Sequence, residues 1–116
     1  MKSPFNISCN LEIDKDGQPF LTIKRVALLK LVKHRGSINA AAKELKMSYQ
    51  QAWHFIKEKN EISPLPLVIR KRGGTNGGET EVTSFGEKTI YEFEQLLAEQ
   101  EQFKCGKNND LWLCFF

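Results

Sequence analysis

Three consecutive alanines, Ala40–Ala42, lie in a stretch whose apolar residues recur at helical spacing. Ser37 precedes this stretch where an N-cap is expected, and Lys46-Met47 interrupts the pattern. Ser48 predicts the N-cap of a second helix, and Gln51 follows where its side chain can complete a capping box. Because alanine is small, a second helix can cross closely over the first. The stretch therefore predicts a helix-turn-helix, a motif whose second helix can enter the major groove of DNA.

The predicted second helix has an inward and an outward side. Helical spacing predicts an inward face formed by Tyr49, Ala52, Trp53 and Ile56. The polar side chains expected on the outward face are Gln50, His54 and Lys57. A glutamine near the start of such a helix can bind adenine through two hydrogen bonds, which makes Gln50 the leading candidate for reading bases. Gln51 is either a second reader or occupied by the capping box, and Tyr49 either packs inward or touches DNA.

Further elements are predicted before the helix-turn-helix. Strict alternation from Phe5 to Ile13 predicts a half-buried strand, and Asp16-Gly17 after it predicts a hairpin turn. Thr22 is the expected N-cap of a helix that runs to about His34. Gly36 then stands where a left-handed residue commonly ends a helix.

A glycine-rich hairpin is predicted after the helix-turn-helix. Leu67–Arg72 predicts a strand that ends in three cations, and Glu79–Thr83 predicts the returning strand. The loop between them, Gly73–Gly78, allows the backbone to approach a sugar-phosphate edge closely. A hairpin in this position is a wing. Its glycine spacing matches neither GxGxxG nor the P-loop, which disfavours a nucleotide-binding loop.

The charges of the chain are unevenly distributed, although the net charge is only +3. Residues 24–72 carry twelve Lys or Arg against three Glu, whereas residues 73–103 carry one Lys against seven Glu. A basic half beside an acidic half is typical of a polyanion-binding face with a second surface kept away from it. Two ordinary solvated faces would give the same totals, so charge alone leaves both interpretations open.

Composition argues against several classes of protein. No apolar run approaches the ~18 residues of a membrane span, and the N-terminus lacks a signal-peptide core. A cytoplasmic protein without a membrane partner is therefore expected. The three cysteines are widely spaced and form no CxxC, so we expect reduced thiols and neither metal nor cofactor: Cys9, Cys105 and Cys114. No catalytic constellation emerges from the spacings, so an enzyme is not expected.

A long helix is predicted after Thr83, its expected N-cap. Apolar residues recur along one face of this helix. That face can pack onto the chain itself or pair with the same helix of a second copy, and we favour the second copy because two-fold pairing suits a palindromic site. The predicted homodimer interface consists of Ile90, Phe93, Leu97 and Gln100. The domain is assigned to residues 1–104 and an apolar tail to residues 105–116. Whether Leu111–Phe116 covers the long helix, covers the N-terminal strand or enters the dimer interface is left open.

Together these elements predict an α+β fold, a winged helix-turn-helix with an N-terminal strand and hairpin and a long C-terminal dimerisation helix. Ser37 and Ser48 are expected to contact phosphates beside helix N-termini. The other residues expected to contact DNA are Tyr49, Gln50, Gln51, His54, Lys57, Arg70, Lys71 and Arg72. The predicted function is a transcriptional regulator that binds a roughly palindromic site in double-stranded DNA as a homodimer. The alternative is a winged helix that binds proteins instead of DNA.

Several of these stretches resemble the N-terminal DNA-binding domain of the ModE-type regulators, a molybdate-responsive winged-helix family related to the LysR-type regulators. The matching stretches are Gly36–Ala42, Met47–Trp53, Leu67-Val68, Gly73–Gly78 and Thr83–Gly86. The resemblance covers about residues 5–102 and implies a transcriptional regulator, although Ser84 stands where the family usually has proline. The family's full-length regulators carry C-terminal molybdate-binding domains, whereas only about a dozen residues follow the long helix here. The resemblance therefore implies a stand-alone DNA-binding domain without a molybdate-binding domain.

Overall fold

The computed structural model describes residues 4–70 and 80–116. The elements in chain order are β1 (Glu12–Lys15), β2 (Gln18–Thr22), α1 (Ile23–Arg35), α2 (Ile38–Glu44), α3 (Tyr49–Ile62), β3 (Val68–Arg70), β4 (Thr80–Val82), α4 (Ser84–Asn108) and a C-terminal 3-10 turn (Trp112–Phe115). β1 pairs with β2 and β3 pairs with β4, both antiparallel. This is the predicted α+β winged helix-turn-helix with an N-terminal hairpin and a long C-terminal helix.

The predicted nine-residue strand from Phe5 to Ile13 is wrong. Only Glu12 and Ile13 of that stretch belong to β1, which is four residues long, and Cys9 is exposed. The hairpin turn is confirmed, since Asp16 and Gly17 both have positive φ angles, 52° and 79°. Alternation predicts an extended segment but does not supply a partner strand, and β2 is only five residues long.

The N-terminal segment makes a different contact from the one its sequence suggests. The backbone N–H of Ile7 donates to Oδ1 of Asn108, 3.1 Å away at the far end of α4. The segment is thereby tied to α4 across most of the length of the chain. An interaction between residues this distant in sequence is not visible in local alternation.

The helix caps follow the sequence. Thr22 Oγ1 accepts from Arg25 N at 3.2 Å, and Gly36 ends α1 with φ 68°. Ser37 caps α2 and Ser48 caps α3, where the reciprocal capping box with Gln51 is complete. These local signals depend only on neighbouring residues, which explains why the helix starts were predictable.

The hydrophobic core lies between α1 and the other helices. α1 contributes four buried side chains, namely Val26, Leu28, Leu29 and Val32. Ala41, Ala42 and Ala52 are almost fully inaccessible, at 0%, 1% and 0% exposure. The small side chains therefore lie where α2 and α3 cross, as predicted. This crossing fixes the direction in which α3 leaves the body of the domain.

α4 contributes its first half to the same core. Ile90 and Phe93 are buried, at 6% and 0% exposure, in contact with the core of their own chain. The prediction that these two residues form the dimer interface is therefore wrong. Leu97 and Gln100 are only partly buried. The helix continues past residue 104 to Asn108.

Lys59 on α3 is an unexpected member of the interior. Its side chain is 4% exposed, and Nζ donates to the backbone oxygen of Pro19 and to Oε1 of Glu58, both at 2.7 Å. The contact with Pro19 joins α3 to β2. Because a buried ammonium group needs hydrogen-bond acceptors, this pair of contacts fixes the position of the lysine.

Lys59→Met is expected to lower the free energy of unfolding by about 1.5–3 kcal/mol, the usual range for a hydrogen bond to a charged group. Methionine keeps most of the buried stem but cannot donate to Pro19. Lys43→Met, at an exposed position of α2, is the control and should change stability by less than about 0.5 kcal/mol. Urea unfolding followed by circular dichroism measures both, and equal stability of the two variants would contradict the role given to Lys59.

Candidate nucleic-acid interface

The N-terminal end of α3 is exposed. Ser48, Tyr49, Gln50 and Gln51 are all accessible. Gln51 Oε1 accepts from Ser48 N at 3.2 Å, and Ser48 Oγ accepts from Gln51 N at 3.1 Å. The capping box therefore occupies the carbonyl oxygen of Gln51, whereas Gln50 takes no part in it. This geometry favours Gln50 over Gln51 for a two-point contact with a base edge.

Tyr49 and Trp53 do not face inward as predicted. Tyr49 is 43% exposed and Trp53 is 37% exposed. The buried stripe of α3 consists of Ala52, Ile56 and Lys59 instead, spaced by four and three residues. The burial of Lys59 was not predicted, and it turns the buried face of α3 away from the two aromatic residues. The small size of Ala52, opposite the alanines of α2, was the signal for the correct face.

The exposed side of α3 also carries Lys57, His54 and Glu58. Lys57 Nζ lies 5.1 Å from the ring centroid of Trp53, within cation–π range. His54 Nε2 lies 3.5 Å from Glu58 Oε2. The hydrogen bond from Lys59 and the charge of that lysine hold the pKa of the Glu58 carboxyl below its ordinary value. Glu58 is therefore an ionised neighbour of His54 near neutral pH.

Much of the positive charge of α1 is neutralised within the chain. Lys30 Nζ lies 3.2 Å from Glu94 Oε2. Lys33 Nζ lies 3.5 Å from Oε1 of Glu87, which is on α4 like Glu94. The basic helix α1 thus faces the acidic helix α4, so the uneven charge distribution along the sequence overstates the charge available to a polyanion.

Arg35, the last residue of α1, is also paired within the chain. Its Nε donates to Glu44 Oε2 at 2.9 Å, and this hydrogen bond raises the pKa of the guanidinium group. Ser37, at the start of α2, uses its Oγ to accept from Ala40 N at 3.2 Å. Its hydroxyl hydrogen is still available for donation to a phosphate.

A groove of about 350 Å³ separates α3 from the wing strand β3. Its walls include Trp53 and Lys57 from α3 and Ile69 and Arg70 from β3. Arg70 is exposed. Lys71, Arg72 and the glycine-rich loop lie outside the described residues. The groove thus combines an aromatic wall, an aliphatic wall and a cation on each side, and Glu61 of α3 also lines it.

Asn60 joins α3 to the wing. Its Nδ2 donates to the backbone oxygen of Val68 at 2.9 Å, and its Oδ1 accepts from the backbone N–H groups of Leu67, at 2.9 Å, and Val68, at 3.3 Å. One side chain therefore satisfies three backbone groups at the start of β3. Sequence reasoning missed this residue, although an amide side chain just before the proline-containing connection was the available signal.

Thr83 and Gly86 hold the other side of the wing base. Thr83 Oγ1 donates to the backbone oxygen of Pro66 at 2.6 Å and accepts from Gly86 N at 2.9 Å. Thr83 N also donates to the backbone oxygen of Leu67 at 2.9 Å. The wing is thus anchored to α3 by Asn60 and to α4 by Thr83. The described residues contain no cluster placed to hold a metal ion, and no helix among them is long and apolar enough to cross a membrane.

Comparisons with known proteins connect this geometry to regulators. The chain is 45% identical over 82 residues to the transcriptional regulator ModE of Haemophilus influenzae, an alignment that covers 71% of the chain and 32% of that protein. The chain thus spans about a third of the length of this relative. No protein-family model matches the sequence.

Solved structures show the same fold at lower identity. The structure of the CbnR DNA-binding domain in complex with DNA superposes with a TM-score of 0.56 at 18% identity, covering 71% of this chain and 88% of that one. VV2_1132, a LysR family transcriptional regulator, superposes with a TM-score of 0.57 at 20% identity, covering 78% of this chain and 29% of that one. The arrangement of α2, α3 and the wing is therefore a known winged-helix architecture.

Proposed function

Because the chain is a homologue of the ModE-type transcriptional regulators, matching about a third of their length, we propose that it binds double-stranded DNA in a sequence-specific manner and regulates transcription. The observation that carries the proposal is the exposed N-terminal end of α3, where Gln50 stands free of the capping box. A chain with this activity works in the cytoplasm and needs no catalytic residue.

The first step of the proposed mechanism is insertion of α3 into the major groove. The N-terminal residues of a recognition helix reach base edges, which places Gln50 at the bases and Ser48 beside a phosphate. A glutamine that binds adenine in bidentate fashion contributes about 1–3 kcal/mol of discrimination. Gln51 is less suited to such a contact, since the hydrogen bond from Ser48 N to its Oε1 fixes the orientation of its side chain. Tyr49 is exposed and available for apolar contact with a base.

The groove between α3 and β3 receives the sugar-phosphate strand that flanks the major groove. Lys57 and Arg70 stand on opposite walls of this groove, so both can approach one stretch of backbone. Trp53 and Ile69 offer apolar surface to the sugars. Phosphate contacts of this kind fix the orientation of the protein without reading the sequence. Lys71 and Arg72 extend the proposed cationic surface along the chain, and His54 is a further candidate contact.

We also propose that the protein acts as a homodimer whose α4 helices pair. Because Ile90 and Phe93 are buried in their own chain, the contact is assigned to the second half of the helix. Leu97 and Gln100 are only partly buried there, and Phe103 is 58% exposed. Two-fold pairing would present two α3 helices to successive major grooves, about 34–36 Å apart. The site in DNA is then roughly palindromic.

Gln50→Ala is expected to reduce the preference for the selected site over random DNA by about 5- to 150-fold, the equivalent of 1–3 kcal/mol. Its affinity for random DNA should hardly change. Arg70→Ala should weaken binding to the selected site and to random DNA to a similar extent. It should also reduce the slope of log K against log salt by about one unit, because it removes one phosphate contact. Sites selected from a random DNA pool, followed by anisotropy titrations across a salt series, measure these quantities.

Lys43→Ala is the matched control, since Lys43 is an exposed cation on α2 for which no DNA contact is proposed. Unchanged specificity in Gln50→Ala would remove Gln50 from the role of reader. Absence of salt-dependent binding by the wild-type chain would overturn the DNA-binding function and favour the protein-binding alternative, which requires neither Gln50 nor the wing cations.

A further inference from the structure

His54 stands one turn after Gln50 on the exposed side of α3. Its side chain is 70% exposed. Residues four positions apart lie on the same face of a helix, so His54 can reach a base edge next to the one that Gln50 reaches. Histidine differs from glutamine in one respect that matters here, because it ordinarily exchanges a proton between about pH 5 and 8.

One ring nitrogen of His54 faces a carboxylate. Nε2 lies 3.5 Å from Oε2 of Glu58, one turn further along α3. The other carboxylate oxygen of Glu58, Oε1, accepts from Nζ of the buried Lys59 at 2.7 Å, which fixes the position of the carboxylate. In a neutral imidazole one nitrogen carries the hydrogen and the other accepts. The carboxylate therefore draws the hydrogen of neutral His54 to Nε2 and leaves Nδ1 as an acceptor.

The charged groups near His54 come from two helices. α3 contributes Glu58 and the cations Lys57 and Lys59, of which Lys59 is directed at Glu58. α1 contributes Arg25, whose charge also acts on Glu58. Within residues 4–70 and 80–116, the ion-pair contact of His54 is the one with Glu58. The orientation of the ring is therefore set by a carboxylate of its own helix.

We propose that His54 reads a base through Nδ1 and that gain of a proton reverses the base it prefers. This rests on the insertion of α3 into the major groove, which belongs to the proposed function. Neutral His54 presents an acceptor at Nδ1, which matches the N4 amino group of cytosine. Protonated His54 presents an N–H donor at Nδ1, which matches N7 and O6 of guanine. Acidification thus shifts the preference at one position of the site from cytosine to guanine.

Cytosine and guanine distinguish the two protonation states of His54. In the major groove cytosine offers a donor without an acceptor, and guanine offers acceptors without a donor. A contact between protonated His54 and a phosphate differs from both, because it would strengthen binding to every sequence alike. Glu58 is a positioning residue in this scheme, since it holds the ring by Nε2 and leaves Nδ1 for the base.

Sites selected from a random DNA pool at about pH 6 and about pH 8 test the inference, followed by anisotropy titrations of the guanine and cytosine versions of the site. In wild type, the preference for guanine over cytosine at one position should rise about fivefold or more on acidification, the lower end of the range for a base contact. His54→Gln cannot gain a proton, so its preference should be the same at both pH values. His34→Gln is the matched control, since His34 is the other histidine, exposed in the last turn of α1, and it should behave like wild type.

A second readout needs no DNA. Nitrogen-15 NMR of the imidazole ring should find the hydrogen of neutral His54 on Nε2 in wild type and on both nitrogens in Glu58→Gln, which keeps the size of the side chain but not its charge. The inference alone is overturned by a neutral wild type with its hydrogen on Nδ1, by a pH effect on base preference that persists in His54→Gln, or by acidification that strengthens all sequences equally. Absence of salt-dependent binding at both pH values overturns the proposed function, and the inference with it.

Discussion

Gly86→Ala is expected to destabilise the protein by about 1–3 kcal/mol, although alanine is the better helix former by about 1 kcal/mol. A Cβ atom at this position would overlap the backbone oxygen of Leu67 and lie 2.8 Å from Cγ1 of Val82. Gly86 is buried in the first turn of α4, where that helix meets the base of the wing. The backbone of Leu67 cannot move freely, because its oxygen accepts from Thr83 N at 2.9 Å. The overlap must therefore displace α4 or β3.

Gly106→Ala on the same helix provides the control. Apart from its chain neighbours and the adjacent backbone of α4, no described atom lies within 4 Å of a Cβ at this position, so alanine should stabilise the protein by about 0.4–1 kcal/mol through helix propensity and the unfolded state. Urea unfolding of the two variants should thus give changes of opposite sign. If Gly86→Ala is as stable as Gly106→Ala, the close contact between α4 and the wing base is not a constraint on the fold.

The elements that were predictable from the sequence are those set by neighbouring residues. Ser37, Ser48 and Thr83 each start a helix through a bond to the third residue after them, and such bonds depend on local order alone. The alanines of α2 predicted a close helix crossing, because small side chains allow the backbones of two helices to approach each other. The Asp16-Gly17 turn was equally local, since two left-handed residues suffice to reverse the chain.

The errors all arise from contacts between distant parts of the chain. The strand predicted from Phe5 lacks a partner over most of its length, because the segment is tied to α4 through Ile7 instead. The burial of Lys59 was not predicted, and Pro19 and Glu58 supply the acceptors of its ammonium group. The apolar stripe of α4 was correctly recognised. Its spacing does not show, however, whether the stripe packs against the core of its own chain or against a second copy. Burial of Ile90 and Phe93 decides this for the first half of the helix.

The candidate interface was predictable where its residues are placed by signals from neighbouring residues. The residues expected at the start of α3 are exposed, because helix caps and periodicity place them. The wing anchor was missed, since Asn60 acts on backbone groups of Leu67 and Val68 and its local signal was a single amide side chain before the proline-containing connection. The ion pairs of the α1 cations with α4 were not predictable, because the partners on α4 are far away in sequence.

Asn60→Leu is expected to lower the free energy of unfolding by about 2–4 kcal/mol. The variant removes three hydrogen bonds, and each partly buried backbone group left without a partner costs about 1–3 kcal/mol unless water replaces the bond. Asn60→Asp keeps the acceptor for Leu67 N and Val68 N but loses the donor to Val68 O. It should therefore lose less than Asn60→Leu. Urea unfolding separates the two variants.

The same variants test whether the wing is held in register with α3. Asn60 lies on α3 between Lys57 and the start of β3, so its loss frees Arg70 from a fixed position relative to Lys57. We expect folded Asn60→Leu to bind random DNA more weakly than wild type, with a smaller salt slope, because the two cations no longer reach one strand together. Asn39→Leu, an exposed asparagine on α2, should change stability by less than about 0.5 kcal/mol. Equal stability and equal DNA affinity of Asn60→Leu and wild type would show that the wing needs no anchor on α3.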